Sequence, residues 1–220
     1  MAHGERTAYR GSIGGDPVGE GAVSVLALDG DEPRYRMELE ALVRGEAAYG
    51  LEFDVIRRRD QLLADHYRLE TRHAERPVAV EEGWFRDVAV LSWGGEIERY
   101  PGDVAPILGC ALMLRGLEFE RGAERSVSVW LANSVHWEVT LKVERRERTE
   151  VPAGSFDAWR VRARPSFHAV AGALDRVIGL LLPPFVLHFD ADSPHRLLRF
   201  AFPTGPFPWN PRALVEATEL

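Results

Sequence analysis

One stretch of the chain places an acid and a phenol two residues apart among apolar neighbours, with the order Leu63, Asp65, Tyr67 and Leu69 at alternate positions. Side chains at i and i+2 of a strand project from the same face, so the spacing predicts that Asp65 and Tyr67 lie side by side. If that face is buried, the pKa of the carboxyl rises and the group can act as a general acid or base. The alternative is that Asp65 is solvated near a sheet edge, the commoner state of an aspartate.

His188 and Asp190 have the same spacing in a second stretch, which follows Pro183 and Pro184. They are candidates for an acid–base pair or for two metal ligands. A metal needs at least a third ligand, and none stands at a fixed spacing, so no metal site is predicted. The alternative is a pair on the protein surface. With Asp65 and Tyr67, these two complete the set of candidate catalytic residues.

Aromatic residues lie on or beside several predicted strands, among them Trp84, Trp93, Trp130 and Trp159. Sites for small molecules are lined mainly by apolar and aromatic side chains, so these four are candidate ligand-binding residues. Arg160 and Arg162 alternate with Phe156, and Arg162 is the candidate anchor for an anionic group. Ordinary core packing of the rings and a solvated face for the arginines are the alternatives.

The sequence lacks the short motifs of the common catalytic classes. It has no P-loop, G-x-G-x-x-G, H-E-x-x-H, C-x-x-C or G-x-S-x-G, which disfavours nucleotide enzymes, zinc proteases and α/β-hydrolases. We therefore expect no cofactor. Cys110, the single cysteine, lies in an apolar run and is interpreted as a small buried hydrophobe rather than a nucleophile.

Composition limits the partners. The chain has 220 residues, of which 34 are acidic and 27 basic, and a formal net charge of −7. An acidic chain without a basic stripe is disfavoured as a nucleic-acid binder. No run of about 18 apolar residues is present, so no transmembrane segment is expected. Residues 1–9 are polar, so the chain as given is expected in the cytoplasm, or in the periplasm or outside the cell if a signal peptide has been removed.

Most of the chain alternates between apolar and polar residues, which is typical of half-buried antiparallel strands. Such stretches, separated by turn residues, occur at 21–28, 35–41, 51–57, 62–70, 88–93, 126–131, 135–143, 156–163, 186–189 and 197–202. About ten strands in series predict a mainly β protein of one domain over residues 1–220. The predicted architecture is a single curled antiparallel sheet or open barrel.

Two apolar segments have helical spacing instead. In residues 103–115, Asp103 is a plausible N-cap, Ile107, Cys110 and Leu114 share one face, and Gly116 follows as a stop. Residues 168–182 repeat apolar side chains at helical intervals before a Pro-Pro stop. Both are predicted as apolar helices over which the sheet wraps.

The stretch Glu150-Val151-Pro152-Ala153-Gly154-Ser155-Phe156-Asp157-Ala158-Trp159 predicts a tight hairpin, because proline presets φ and glycine accepts a positive φ. It resembles the "E-x-v-p-a-G-x-F-x-a" hairpin of the bacterial domain of unknown function 3108. Three other stretches agree with that family: the opening strands at 9–28, the helix ending in Leu114-Arg115, and Asp192-Ser193-Pro194-His195-Arg196-Leu197-Leu198-Arg199-Phe200, which resembles its closing strand.

The resemblance implies a fold like that of the lipoprotein carriers LolA and LolB, a curled antiparallel sheet wrapped over helices around an apolar cavity. Most members of the family look exported, and this chain shows no export signal. Its apolar insert at 169–182 is longer than the family pattern implies and is placed to cover the cavity.

The leading functional hypothesis is a binding module that holds an apolar or amphipathic ligand, a lipid or an aromatic metabolite, in this cavity. The second is an isomerase, cyclase or lyase without metal or nucleotide that uses acid–base residues in the same cavity. The third is a structural protein of envelope assembly without a small ligand. A protein partner cannot be named from the sequence.

Overall fold

The structure is a computed structural model and describes residues 4–29, 32–45, 47–58, 61–74, 76–85, 88–93, 96–101, 104–132, 135–166, 184–205, 207 and 209–220. Side chains are described for these residues except 58, 61, 88–93, 96–101, 104–108, 130–132, 135 and 136. The helix predicted at 168–182 lies outside the described residues.

Among the described residues, fifteen strands join into one sheet. The first eight are β1 (Glu5–Ile13), β2 (Asp16–Leu28), β3 (Arg34–Val43), β4 (Ala47–Arg58), β5 (Gln61–His73), β6 (Arg76–Trp84), β7 (Val88–Trp93) and β8 (Glu96–Pro101). The others are β9 (Val104–Pro106), β10 (Glu124–Ala132), β11 (Val135–Val151), β12 (Gly154–Pro165), β13 (Phe185–Asp190), β14 (Leu197–Pro203) and β15 (Arg212–Glu219). Every stretch predicted from alternation is a strand. The expected number was too low because five further strands are short or lack a regular alternation: β1, β6, β8, β9 and β15.

The strand order makes the sheet curl. It consists of two meanders, β1 to β8 (the first half) and β9 to β15 (the second half), joined where β1 pairs with β15. All pairs are antiparallel except β9 with β10. The edge strands β8 and β9 are separated only by residues 102–103, so their ends lie within about 11 Å. The described residues show no ladder between them, so the sheet curls without closing.

A short helix, α1 (Ile107–Met113), and the 3-10 turn Leu114–Gly116 that follows it pack against the inner faces of both halves. The helix begins four residues later than the N-cap prediction at Asp103, because Val104–Pro106 pair with β10 as a strand. Close approach to the wall requires glycine at 109, where an added Cβ would stand 2.5 Å from the Phe53 ring. Within the part of the chain that is described, no helix has the length and apolarity to cross a membrane.

The described residues form three hydrophobic cores, and the two larger ones cover the inner face of the sheet. In the first half the largest fully buried side chain is Phe53, and Leu112 and Met113 of the helix region pack with it. In the second half Leu114 packs with Val161 and Phe189. The helix therefore joins the two cores, which positions its C-terminal end between the halves.

The hairpin predicted at residues 150–159 is confirmed. Val151 pairs with Gly154 across a turn made by Pro152 and Ala153, and Gly154 has a φ of 139°. That φ favours glycine, which has no Cβ to clash. The hairpin is local architecture and fixes the register of β11 against β12.

Candidate functional site

The C-terminal end of the helix carries a buried ionic cluster, which we call the interior cluster (Glu5, Tyr9, Arg115 and Arg196). Arg115 Nη2 donates to Glu5 Oε2 at 2.8 Å, and Arg115 Nε donates to the carbonyl of Pro194 at 2.9 Å. The Arg115 and Glu5 side chains are only 6% and 4% exposed. Removing one partner of such a pair leaves the other charge buried and unpaired, which is costly. The pair therefore holds the helix end against β1 and the connection between β13 and β14.

The remaining members of the interior cluster complete this contact. Arg196 Nε stands 3.8 Å from Glu5 Oε1, which places the carboxylate between two guanidinium groups. The Tyr9 hydroxyl donates to the carbonyl of Leu197 at 2.8 Å. Burial raises the pKa of Tyr9, against the opposing effect of the Arg115 charge, so this phenol remains protonated.

A cavity of about 270 Å³ lies beside the interior cluster, between the two halves of the sheet. Tyr35, Arg57 and Leu62 line it from the first half, and Arg115 lines it from the helix end. The other described lining residues are Gly116, Leu117, Ser193, Pro194 and His195. None of these nine described lining residues is acidic, so the charged groups among them are cationic. We call this space the head cavity.

His195 is held firmly at the wall of the head cavity. Its backbone has a φ of 56°, and its amide donates to the carbonyl of Asp192 at 2.9 Å. Its Nδ1 lies 2.9 Å from the carbonyl of Asp190, and since a carbonyl only accepts, Nδ1 is the donor. The ring packs on Phe119 at a centroid distance of 4.4 Å. The imidazole is therefore fixed in orientation before any ligand binds.

A larger space of about 630 Å³ adjoins the head cavity, and Gly116 and Leu117 line both. Leu141 and Val143 of β11, which belong to the second-half core, form its inner wall. Its other described lining residues are Glu118, Ala123, Glu124 and Arg125. We call this space the tail cavity, because Leu141 and Val143 give it an apolar inner wall, whereas Glu118 and Glu124 are exposed and Arg125 is half-buried.

A third depression, of about 570 Å³, crosses strands β1 to β5 on the other face of the sheet. Its side chains, such as Ala8, Ala22 and Ala48, alternate with the residues of the first-half core. It is therefore a groove on the outer surface and not part of the interior.

Asp65 and Tyr67 do not share a face, which corrects the prediction from alternate spacing. The register of β4 with β5 shifts between Asp54 and Val55, and Asp65 is the extra residue. A bulge of this kind reverses the alternation, so Leu62, Ala64 and Tyr67 face the core while Asp65 faces outward. There Asp65 Oδ2 pairs with Arg34 Nη2 at 3.2 Å.

Tyr67 meets a different carboxylate on the inner face. Its hydroxyl donates to Glu81 Oε2 at 3.4 Å. Burial raises the pKa of Glu81, and the hydrogen bond from Tyr67 partly opposes that rise. Burial also raises the pKa of Tyr67. An acid–phenol pair thus exists, but with a partner from β6 that sequence spacing did not reveal.

His188 and Asp190 are not paired with each other. His188 lies on the outer face, where its Nε2 is 2.9 Å from Glu147 Oε1. Arg160 pairs with both Glu144 and Glu147 beside it, and we call these four residues the outer cluster. Asp190 Oδ1 instead accepts the amide of Asp192 in the turn that follows β13.

The pKa values of both partners are lowered, which agrees with a buried imidazole beside an ionised carboxylate. Burial lowers the pKa of His188 and outweighs the raising effect of Glu147. Burial would raise the pKa of Glu147, but hydrogen bonds from His188 and Arg145 outweigh it, and the pKa is lowered. His188 is therefore neutral at pH 7, and Glu147 is charged.

The candidate ligand-binding residues are dispersed. Trp159 packs in the second-half core, and Trp84 lies on the outer face against His66 with a centroid distance of 5.6 Å. Arg162 also lies on the outer face, paired with Glu144. The side chains of Trp93 and Trp130 lie outside the described residues. Among the members whose side chains are described, Trp159 is the one that lies in the interior.

Sequence reasoning missed the residues of the interior cluster. In the sequence, Arg115 lies more than one hundred positions after Glu5 and about eighty before Arg196, so no local spacing links the three residues. One signal was present: Arg115 is a single cation at the end of an apolar helix, and a charge in that position needs a buried partner.

The Cys110 thiol packs against the second-half core. Burial raises the pKa of the Cys110 thiol to about 12, so this cysteine is a poor nucleophile, as interpreted from its apolar setting. Within the described ranges, no group of three or more His, Cys, Asp or Glu side chains is arranged to hold a metal ion.

Comparisons with known proteins identify the fold. No family model and no curated protein matches the chain. Among solved structures, a β-barrel-like protein of the domain of unknown function 1849 from Brucella abortus aligns with a TM-score of 0.58 and 9% identity, covering 97% of this chain and 95% of that one. The β-barrel-like fold is thus shown, whereas the specific resemblance to the domain of unknown function 3108 gains no support.

Two further structures align over nearly the whole chain with a TM-score of 0.36 each. One is a candidate exported protein with a YmcC-like fold from Bacteroides fragilis, at 8% identity, and it covers 99% of this chain and 95% of that chain. The other is a candidate lipoprotein from Parabacteroides distasonis, at 10% identity with the same coverage. Neither description carries over to this chain, and the cytoplasmic location expected from residues 1–9 gains no support from them.

Proposed function

We propose that this protein is a binding module for an amphipathic small molecule, a lipid or an aromatic metabolite, held inside the curled sheet. The observation that carries the proposal is the pair of adjoining spaces at the helix end. The tail cavity, about 630 Å³, falls in the range of about 300–1,000 Å³ that is usual for small-molecule sites.

The two spaces differ in chemistry, which favours an amphipathic ligand over a purely apolar one. Leu117, Leu141 and Val143 offer apolar surface in the tail cavity, and burial of a hydrocarbon there is favourable by about 25 cal/mol for each Å² removed from water. The head cavity next to it is lined by Arg57, Arg115 and His195. A ligand with one polar end matches both.

The enzyme hypothesis has weaker support. Asp65 and His188 lie on the outer face, and Asp190 stabilises a turn. Tyr67 is the one of the four on the inner face, and it is paired with Glu81. These residues do not converge on a common space, so we do not propose an acid–base reaction for them.

Native mass spectrometry of the purified protein, followed by solvent extraction and loading with a fluorescent fatty acid, tests the proposal. We expect a bound amphiphile or stoichiometric loading. Ala123→Phe fills the tail cavity and should weaken loading about tenfold or more, whereas Ala48→Phe on the outer groove is the matched control. Absence of any loading, together with self-association, would contradict the proposal and support the structural role in envelope assembly.

A further inference from the structure

The residues around the head cavity favour a negatively charged group on the ligand. We propose that it is the head-group subsite of the ligand and that it takes an anionic oxygen group, a carboxylate or a phosphate monoester. This inference rests on the proposed function and names the ligand class.

The balance of charge around the head cavity is positive. Arg57 and Arg115 line it, and no described lining residue is acidic. Glu5, which is almost fully buried, lies between Arg115 and Arg196. One carboxylate shared by these two guanidinium groups leaves an excess of positive charge beside the cavity, which favours an anionic ligand.

The surroundings strengthen that attraction. Leu62, Leu117 and Pro194 form apolar parts of the wall, and the cavity lies between the two halves of the sheet. Electrostatic interactions are stronger where water is partly excluded. A guanidinium also presents its N–H groups in a planar fork that matches the oxygens of a carboxylate or phosphate.

The cavity is built before the ligand arrives. Hydrogen bonds fix Arg115 to Pro194 and Glu5, and the His195 ring is held by the carbonyl of Asp190 and by Phe119. Preformed sites bind more tightly because less side-chain freedom is lost on binding. Leu117 lines both spaces, so a chain that leaves the head group enters the tail cavity directly.

The test compares ligands with one chain and different head groups. Dodecanoate, dodecyl phosphate, dodecanol and dodecylamine are titrated into the delipidated protein, with binding followed by displacement of a fluorescent fatty acid. We expect at least one of the two anions to bind about tenfold or more tightly than the alcohol. The amine should bind no more tightly than the alcohol. The tighter of the two anions names the head group.

Variants of the lining residues test whether the preference for an anion arises in the head cavity. Arg57 is exposed at the rim, so Arg57→Gln should leave folding intact and reduce the preference for the anion over the alcohol about tenfold. Ser193→Asp adds a negative charge to the lining and should have the same effect. Arg146→Gln, which changes an exposed arginine paired with Asp157 at the protein surface, is the matched control and should change nothing.

The outcomes separate this inference from the proposed function. Equal binding of dodecanol and both anions, or an anion preference that survives Arg57→Gln and Ser193→Asp, would overturn the head-group subsite and leave the binding module standing. Failure of all four ligands to displace the probe from a protein that loads it would also overturn the subsite. Failure of the protein to load any amphiphile would overturn both.

Discussion

The interior cluster around Arg115 and the outer cluster around His188 are alike in composition and unlike in setting. Each joins acidic to basic side chains that are well separated in the sequence, and each contains a buried member. The interior cluster borders a cavity between the halves of the sheet. The outer cluster joins neighbouring strands β11, β12 and β13, and none of the described cavities borders it.

This difference separates a candidate site from a sheet-stabilising network. His188 has a perturbed pKa and would attract attention as a catalytic residue on that ground alone. Its shift follows from burial among side chains of adjacent strands, as in many structural networks. The interior cluster becomes a candidate site because open space lies beside its cations.

The largest loss of stability is expected from Arg115→Met. It leaves the Glu5 carboxylate buried without its main partner, which should lower the free energy of unfolding by about 3–5 kcal/mol. Urea denaturation measures the loss. The double variant Glu5→Gln/Arg115→Met should recover part of it, and a loss below about 1 kcal/mol in the single variant would contradict a buried, energetically coupled pair.

The close contact between the helix and the sheet is tested by Gly109→Ala. Alanine favours a helix over glycine by about 1 kcal/mol, but its Cβ would collide with the Phe53 ring. We expect a net loss of about 1–3 kcal/mol, since overpacking a core forces side chains or backbone to move. A smaller loss when the change is made in a Phe53→Leu background would confirm the contact, and a stabilised single variant would exclude it.

The outer cluster should respond to pH. The folded-state pKa of His188 lies below its ordinary value of 6.5. The contribution of His188 to the free energy of unfolding is therefore complete above pH 6.5 and declines as the pH falls through the folded-state pKa. His188→Gln should cost about 1 kcal/mol at pH 7.5 through its weaker contact with Glu147. Unfolding curves across this range should show the gap between variant and parent narrowing as pH falls. A gap that widens on acidification would mean that His188 is charged in the folded protein.

The smallest loss of stability is expected from Arg146→Ala. Arg146 and Asp157 pair at the protein surface at 3.1 Å, and both side chains are about half exposed. Exposed pairs of this kind contribute about 0–0.5 kcal/mol, so the thermal midpoint should hardly move. A loss of stability as large as that of His188→Gln would show that this pair is coupled to the outer cluster.

Local chemistry alone predicted much of the sheet. Alternation at residues 35–41 gave β3, and Pro152 with Gly154 gave the hairpin between β11 and β12. These features depend on residues within a few positions of one another, where backbone preference and side-chain direction decide the outcome. The apolar run before Arg115 likewise predicted a buried helix, though not its start at Ile107.

The candidate site depended on contacts that local patterns do not contain. A single extra residue in β5 moved Asp65 to the opposite face from Tyr67, because every register shift of one exchanges the faces. Pairing of β9 with β10 shortened the helix, since the same backbone groups cannot serve both.

The sequence by itself determined a mainly β chain with a tight hairpin and an apolar central helix, because these follow from short-range periodicity and turn chemistry. Only the tertiary structure decided that Glu5, Arg115 and Arg196 meet beside Arg57 and His195. The physical reason is that curling of the sheet brings β1, the helix end and the β13–β14 connection together, and the cost of burying a charge then selects the partners that neutralise it.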